Sequence, residues 1–242
     1  MANLKLGSGG PEVKRLQEAL NRKLKPSPNL VPDGAYGNLT RNAVLRFQKD
    51  NWLVEDGEAG PATQACAYDT EVPPTILHSV PFIPQPTPTQ CWAASTAMMT
   101  RSNVPAVVAR TPPDMIAANG GLKNASGSDQ AVTEGQRYGQ VHGLRCNAPQ
   151  SWTVPMLRAA LSRGPLMFDM LWNSGEYAAG MGSPGHMIVV VGIRGDSDPS
   201  GRGTTVRIQD PWPPNKGKVY SRGYFRWVQE LPTMTYRVFE KA

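Results

Sequence analysis

The chain contains little cysteine and no long apolar segment. Its 242 residues include three cysteines, Cys66, Cys91 and Cys146, and so small and odd a number excludes a disulfide scaffold. No two cysteines form a C-x-x-C pair and the three histidines form no H-x-x-x-H pair, so we expect neither a metal site nor a cofactor. No apolar run approaches the roughly 20 residues that a membrane span requires.

The N-terminal sequence MANLKLGSGG also lacks the apolar segment of a Sec signal peptide, so we expect export by another route. The formal charge is +6, but the basic residues are spread out and form no run or aromatic–basic motif. This distribution argues against nucleic acid as a partner and suits another polyanion, such as bacterial cell wall. Glycine and proline are abundant, with 24 and 23 residues, which argues against long helical bundles and coiled coils.

Residues 4–67 predict a small unit of helices. Small residues and Pro11 mark a helix start, apolar residues follow at helical spacing, and Pro26 ends the helix. A second helix is predicted over 38–50. Its apolar side comprises Leu39, Ala43, Val44 and Phe47.

Two copies of the pattern D-G-x-x-G-x-x-T, at 33–40 and 56–63, each lead into a predicted helix. Asp-Gly allows a tight turn with positive φ, and the second glycine permits close approach of the backbone. With the opening GSGGPEVKRLQEAL, these motifs make residues 4–67 resemble the three-helix peptidoglycan-binding domain of wall hydrolases. The resemblance implies binding to peptidoglycan. The alternative is a small helical bundle that only docks on the rest of the chain.

The remainder of the chain begins with a Pro-rich linker over 69–90 and then mixes helices with strands. The alternative for the later part of this linker is an ordered segment against the second domain, because its residues are too apolar for a free linker. Predicted helices come first and predicted antiparallel strands later, which favours an α+β fold. We therefore expect domains at 1–70 and 71–242. The predicted helices are 91–101, 113–118, 129–138 and 152–163, and the predicted strands are 166–171, 186–193, 204–210, 217–228 and 234–240.

Cys91 is the candidate nucleophile. It opens the stretch CWAASTAMM after prolines that cannot continue a helix, so we expect it at a helix N-terminus. The helix dipole and the unpaired N–H groups there favour a thiolate, which is the attacking form, and the same N–H groups can hold an oxyanion. Gln85 and Gln90 are rival side-chain donors to that oxyanion. The alternative for a lone cysteine is a small core residue.

His186 and Asp210 are predicted to lie side by side. His186 opens one apolar strand, a polar loop follows, and the next strand ends at Asp210. Opposing residues of an antiparallel hairpin have a constant sum of residue numbers, and we take that sum from a pairing of Ile193 with Thr204. His186 then lies within one residue of Asp210, where an acid orients the imidazole. Asp169 is a rival acid, but strand alternation predicts it on a solvated face.

A cysteine at a helix start, a histidine at a strand start and an acid beside it together favour nucleophilic catalysis over three unrelated structural roles. The motifs QxxxxxCWAA, GHMIVVVGI and DPWPP make residues 71–242 resemble papain-like cysteine peptidases of the AvrRpt2-like group. The resemblance implies Cys91 as nucleophile, His186 as general base and Asp210 as orienting residue. It also implies Gln85 as an oxyanion donor.

The sequence thus predicts a cysteine hydrolase that cleaves amide bonds in peptidoglycan peptide stems, at the bacterial wall or in the periplasm. Such an enzyme fits an interbacterial toxin with a neutralising immunity protein, or a phage-type lysin. One alternative is a papain-like protease that cuts a protein and uses the wall-binding domain for delivery or retention. Another is a wall-binding protein with a degenerate peptidase domain, against which the four intact site residues argue.

Overall fold

The computed structural model describes residues 2–70, 73–123, 128–147, 152–171, 185–196, 198–230 and 237–242. The chain forms two compact units. The first consists of Met1–Thr75, Ile193–Val206 and Ser221–Arg226, and the second of Ile76–Gly192, Arg207–Tyr220 and Trp227–Ala242. Nothing in the sequence indicates that the two later segments group with the N-terminal residues.

Three helices form the N-terminal part of the first unit: α1 (Pro11–Lys23), α2 (Asn38–Asp50) and α3 (Pro61–Ala67). Proline occupies the first turn of α1 and of α3, where its missing N–H would have no helical partner. The apolar sides of the helices face one another and confirm the predicted three-helix arrangement. The buried core side chains include Val13, Leu16, Leu20, Tyr36, Val44, Phe47 and Cys66.

The predicted position of Leu39 on the apolar side of α2 is wrong. Its side chain is 77% exposed, whereas the neighbouring Thr40 is buried. The hydroxyl of Thr40 accepts a hydrogen bond from Nε2 of Gln17 at 3.2 Å. The first turn of α2 therefore directs its polar residue inward, because that residue completes a buried hydrogen-bond network.

Each copy of the D-G-x-x-G-x-x-T repeat closes around one buried glutamine, Gln17 for the first copy and Gln48 for the second. In both copies Nε2 donates to the Asp carboxylate, to the carbonyl of the third residue and to the Thr hydroxyl. Oε1 accepts from the N–H of the first glycine. These distances are 2.9–3.2 Å in the first copy and 2.8–3.1 Å in the second. The repeat is therefore a hydrogen-bonded scaffold.

The rest of the chain contains helices and strands in alternating groups. The helices are α4 (Cys91–Thr100), α5 (Val104–Arg110), α6 (Ser128–His142), α7 (Val154–Leu161) and α8 (Tyr224–Glu230), with a 3-10 turn at Pro113–Met115. The strands are β1 (Ile76–Leu77), β2 (Leu144–Asn147), β3 (Leu166–Leu171), β4 (Gly185–Gly195), β5 (Thr204–Asp210), β6 (Lys218–Gly223) and β7 (Arg237–Lys241).

Several predicted elements need correction. The predicted strand 217–228 ends at Gly223, and α8 follows, because Tyr224 and Trp227 are both buried at helical spacing. The predicted helix at 113–118 is only a 3-10 turn, whereas α5 and β2 were not predicted. The predicted linker 69–90 contains strand β1, which pairs with β4, so its later part is ordered. Residues 234–236 of the last predicted strand lie outside the described residues.

The strands form one seven-stranded sheet in the order β2-β7-β3-β4-β5-β6, with β1 paired to β4. The pairs β2–β7, β7–β3 and β3–β4 are antiparallel. Helices precede most of the sheet in the chain, so the predicted α+β class is confirmed. No helix in the described part of the chain is long and apolar enough to cross a membrane.

Helix α4 is buried on all sides, which its run of small and apolar residues allows. Ser95 Oγ donates to the carbonyl of Met187 in β4 at 2.9 Å, and Thr96 Oγ1 is hydrogen-bonded to the Tyr138 hydroxyl at 2.7 Å. These two contacts hold α4 against the sheet on one side and against α6 on the other. The first residue of α4 is thereby fixed beside the first residues of β4.

Candidate active site

Cys91 is the first residue of α4, as predicted, and its side chain lies beside the start of β4. The residue is 8% exposed, and its Sγ is 4.0 Å from the carbonyl oxygen of Gly185. Gly185 directly precedes His186 in the chain. The thiol and the imidazole are therefore brought to the same place by two elements that lie 95 residues apart in the sequence.

The expectation that the helix N-terminus favours a thiolate is only partly met. Burial raises the pKa of the Cys91 thiol to about 11. The backbone N–H groups of Met187 and Trp92 lower this pKa, while the carboxylates of Asp169 and Asp210 raise it further. Because burial raises the thiol pKa more than the backbone N–H groups lower it, the thiol is protonated at neutral pH and requires a base to attack.

The structure places Asp210 next to His186, as the hairpin argument predicts. Nε2 of His186 is 2.8 Å from Oδ1 of Asp210, and both side chains are buried. The same carboxylate oxygen accepts the backbone N–H of Trp212 at 2.9 Å, and Lys218 Nζ lies 3.7 Å from Oδ2. The Asp210 carboxylate accepts a hydrogen bond from Nε2–H of His186, and this tautomer leaves the lone pair of the ring on Nδ1.

Gln85 is fully buried and is held near Asp210 by its backbone. Its N–H donates to the Pro211 carbonyl at 3.1 Å, and its carbonyl accepts from Asn215 N–H at 2.8 Å. The side-chain Nε2 donates to the Thr87 carbonyl at 2.7 Å, and Oε1 has no hydrogen-bond partner among the described residues. The Thr87 carbonyl therefore occupies one of the two N–H donors of the Gln85 amide, and the predicted oxyanion role would fall to the other N–H.

The rival donor, Gln90, is the residue before α4. Its side chain makes no capping hydrogen bond to the helix. The first N–H groups of α4 are consequently not occupied by a side-chain cap at Gln90. Of the backbone groups near the thiol, the N–H of Trp92 lies close enough to lower the thiol pKa.

A cavity of about 570 Å³ opens onto Cys91 and His186. Trp92 and Trp212 contribute aromatic walls. The cavity volume is large enough for one or two amino-acid residues of a substrate. The remaining lining side chains include three charged residues, Lys123, Asp169 and Arg237.

The predicted solvated position of Asp169 is wrong. Its side chain is 11% exposed and forms an ion pair with Arg237, whose Nε lies 2.7 Å from Oδ2. Burial raises the pKa of the Asp169 carboxyl, and Arg237 opposes that shift. The sequence does carry a signal for this residue, because Asp169 interrupts the otherwise apolar strand LMFDML. Arg237 gives no comparable signal.

The other two histidines have structural partners. His78 Nε2 lies 2.6 Å from the Leu161 carbonyl oxygen, and His142 Nε2 lies 2.9 Å from Thr111 Oγ1. Burial lowers the pKa of His142 to about 4, so this ring is neutral at physiological pH. Within the described ranges, no three His, Cys, Asp or Glu side chains are grouped so that they could hold a metal ion.

Comparison with known families agrees with this geometry. Residues 9–66 match the family model of a peptidoglycan-binding domain, and residues 75–227 match that of the papain-like cysteine protease AvrRpt2. The second match covers more than half of the chain, so the chain belongs to this family of papain-like cysteine proteases. The chain thus combines a peptidoglycan-binding domain with a domain of the papain-like cysteine protease family.

Two solved structures are similar to part of this chain. The Burkholderia AP3 phage endolysin is 27% identical with a TM-score of 0.27, over 48% of this chain and 43% of that chain. The chain thus spans less than half the length of the endolysin. A C39-like peptidase from Bacillus anthracis is 15% identical with a TM-score of 0.39, over 70% of this chain and 98% of that chain.

Proposed function

We propose that this peptidase cleaves amide bonds in the peptide stems of peptidoglycan, with Cys91 as nucleophile. The observation that carries the proposal is the cavity that opens onto Cys91 and the His186–Asp210 pair, in a chain that also has a peptidoglycan-binding domain. Binding to the wall raises the local concentration of stems at the cavity, which favours wall peptides over diffusing proteins.

Acylation begins with proton transfer. Nδ1 of His186 removes the proton from Cys91 Sγ as the sulfur attacks the carbonyl carbon of the scissile amide. The imidazolium that forms is stabilised by Asp210, which holds Nε2–H. The oxyanion of the tetrahedral intermediate receives hydrogen bonds from the first N–H groups of α4, with the Gln85 amide as the proposed side-chain donor.

The intermediate then collapses. The C–N bond breaks as His186 returns its proton to the leaving amine, and the acyl group remains on sulfur as a thioester. Water, deprotonated by His186, attacks this thioester, and the Cys91 thiolate leaves and recovers the proton. Each cycle therefore consumes one water and leaves one new carboxylate and one new amine.

Digestion of purified peptidoglycan tests the proposal. The sacculus preparation is incubated with the wild type or Cys91→Ala, and products are identified by mass spectrometry. We expect new products, each with one added water, from the wild type only. Cys146→Ala is the matched control, since Cys146 does not line the cavity and its loss leaves the products unchanged. A wild type that releases no new product from peptidoglycan contradicts the proposal.

The second candidate function is cleavage of a protein substrate. The family match favours it, because the matched family is described as a papain-like cysteine protease. In that case the wall-binding domain serves delivery or retention. The test is incubation of a panel of unfolded and folded proteins with the wild type and with Cys91→Ala. Cleavage of a protein by the wild type only, together with no cleavage of peptidoglycan, supports this candidate over the first.

The site of action follows from the substrate. We propose that the enzyme works at the bacterial wall or in the periplasm, as an interbacterial toxin opposed by an immunity protein or as a phage-type lysin. Expression of the chain with an added periplasmic signal should lyse a Gram-negative host, and Cys91→Ala should not. Protection by a co-expressed neighbouring gene product would identify the toxin and its immunity protein.

A further inference from the structure

The ion pair of Asp169 and Arg237 occupies the end of an otherwise apolar row of the sheet. In one row, Met167 of β3 is paired with Val189 and with Phe239, and all three are buried. Two residues along β3, Asp169 is paired with Met187 and Arg237 on the same face of the sheet. The charged pair therefore replaces core positions at the end of the sheet where Cys91 lies.

Stability alone does not account for this pair. Both side chains are about one-tenth exposed, and burial of two charges costs about as much free energy as their attraction returns. Apolar residues would continue the row at no such cost. Both charged residues line the cavity that holds Cys91 and His186, where a substrate can contact them.

The geometry of the pair leaves hydrogen-bonding capacity on both partners. Arg237 Nε and Nη2 both donate to the same carboxylate oxygen, Oδ2 of Asp169. In the described part of the chain no hydrogen bond reaches Oδ1. A guanidinium has five N–H donors, so further donors remain on Arg237. The cavity wall thus offers a negatively charged hydrogen-bond acceptor, the Asp169 carboxylate, next to positively charged donors on the Arg237 guanidinium.

The pair is also close to the reacting groups. The carboxylate of Asp169 raises the pKa of the Cys91 thiol more strongly than Asp210 does, and His186 lowers the pKa of Asp169. A substrate group held by the pair therefore lies in the same cavity as the scissile amide. That group must present an ammonium and a carboxylate together.

Resting on the function proposed above, we propose that Asp169 and Arg237 select peptide stems that contain meso-diaminopimelate. The free end of this residue carries an ammonium and a carboxylate on one carbon. The ammonium donates to Oδ1 of Asp169, and the carboxylate accepts from the N–H groups of Arg237. Lysine in the same stem position supplies the ammonium alone, so it satisfies half of the site.

The test is a competition between three disaccharide-tripeptides in one reaction. The first contains meso-diaminopimelate, the second the same residue acetylated on its free amine, and the third lysine. Because a hydrogen bond to a charged group is lost in each analogue, we expect the wild type to cleave the first about 10- to 100-fold faster than either of the others. Relative disappearance rates by mass spectrometry give the ratio of kcat/KM values directly.

Asp169→Asn should reduce the discrimination between free and acetylated amine to less than threefold, about one-half log unit. Glu240→Gln is the matched control, because Glu240 is a buried carboxylate in the same sheet that pairs with Arg145 and Arg163. It does not line the cavity, so it should keep the wild-type ratio. A general loss of activity cancels in this ratio, which separates recognition from damage to the fold.

Equal cleavage of the three stems by the wild type overturns the inference while the proposed function stands. Retention of full discrimination in a folded Asp169→Asn overturns it as well. Cleavage of no stem and no peptidoglycan contradicts the proposed function and the inference together. The wild-type comparison needs no variant, so the inference is decided even if Asp169→Asn fails to fold.

Discussion

Oδ1 of Asp210 accepts two hydrogen bonds, one from Nε2 of His186 at 2.8 Å and one from the backbone N–H of Trp212 at 2.9 Å. The carboxylate is therefore fixed by the corner that follows β5, and the ring is fixed by the carboxylate. This relationship sets the tautomer of His186.

Asp210→Ala should lower kcat/KM on the stem substrate by about 10²-fold or more, because the imidazole loses the group that holds Nε2–H. Asp210→Asn should lower kcat/KM by less than Asp210→Ala does, because the asparagine side-chain oxygen can still accept the hydrogen bond from Nε2–H. Asp114→Ala is the control, since Asp114 is an exposed acid paired with Arg137. Initial rates at several substrate concentrations provide the comparison. An Ala variant with wild-type kcat/KM and an intact fold would show that Asp210 does not orient the base.

Gln85→Ala should lower kcat by about 10²- to 10³-fold and change KM little, as expected for loss of an oxyanion donor. The backbone hydrogen bonds of Gln85 to Pro211 and Asn215 do not depend on its side chain, so the site should stay in place. Gln90→Ala tests the rival donor in parallel. A loss of kcat confined to Gln90→Ala would assign the oxyanion role to Gln90. An unchanged kcat in both variants would mean that backbone N–H groups alone stabilise the oxyanion.

Alkylation of Cys91 by iodoacetamide should be slow at neutral pH and should still be rising above pH 9. Burial raises the thiol pKa to about 11, so the reactive thiolate is a small fraction below that pH and increases as pH approaches it. Peptide mapping by mass spectrometry measures each cysteine separately. Cys146, whose pKa burial also raises to about 11, serves as the internal reference. A rate for Cys91 that reaches its plateau by pH 7 would indicate a preformed thiolate instead.

Gln48→Ala should destabilise the three-helix part of the chain by at least about 2 kcal/mol, since several buried hydrogen-bonding groups lose their partner at once. Gln17→Ala should have the same effect through the other copy of the repeat. Native-state hydrogen exchange of α1 and α2 in the full chain reports the loss. Lys49→Ala is the control, because Lys49 is exposed on the same helix. Unchanged protection in Gln48→Ala would mean that the repeat is held by its turns alone.

Local sequence features accounted for much of the fold and of the candidate site. Prolines before Cys91 set the start of α4, and strand–loop–strand spacing predicted that His186 meets Asp210. The D-G-x-x-G-x-x-T repeat located two helix starts. These features depend on short stretches of backbone or on a single hairpin, where neighbours in sequence are neighbours in space.

Features that depend on distant segments were missed or wrong. Strand alternation alone placed Asp169 in solvent, because it cannot show that β7 supplies Arg237 beside it. The end of the predicted strand 217–228 is a helix, because Tyr224 and Trp227 are both buried at helical spacing. The helix-dipole argument for a thiolate ignored how deeply Cys91 is buried.

The sequence by itself determined the two-part composition of the chain, the α+β class, and the identity of the candidate nucleophile, base and acid. Only the tertiary structure decided the protonation state of the thiol, the direction of the Gln85 amide and the charged wall of the cavity. The physical reason is that desolvation, ion pairing and cavity shape arise from groups that are brought together across the sheet. A local sequence pattern does not show which groups the sheet brings together.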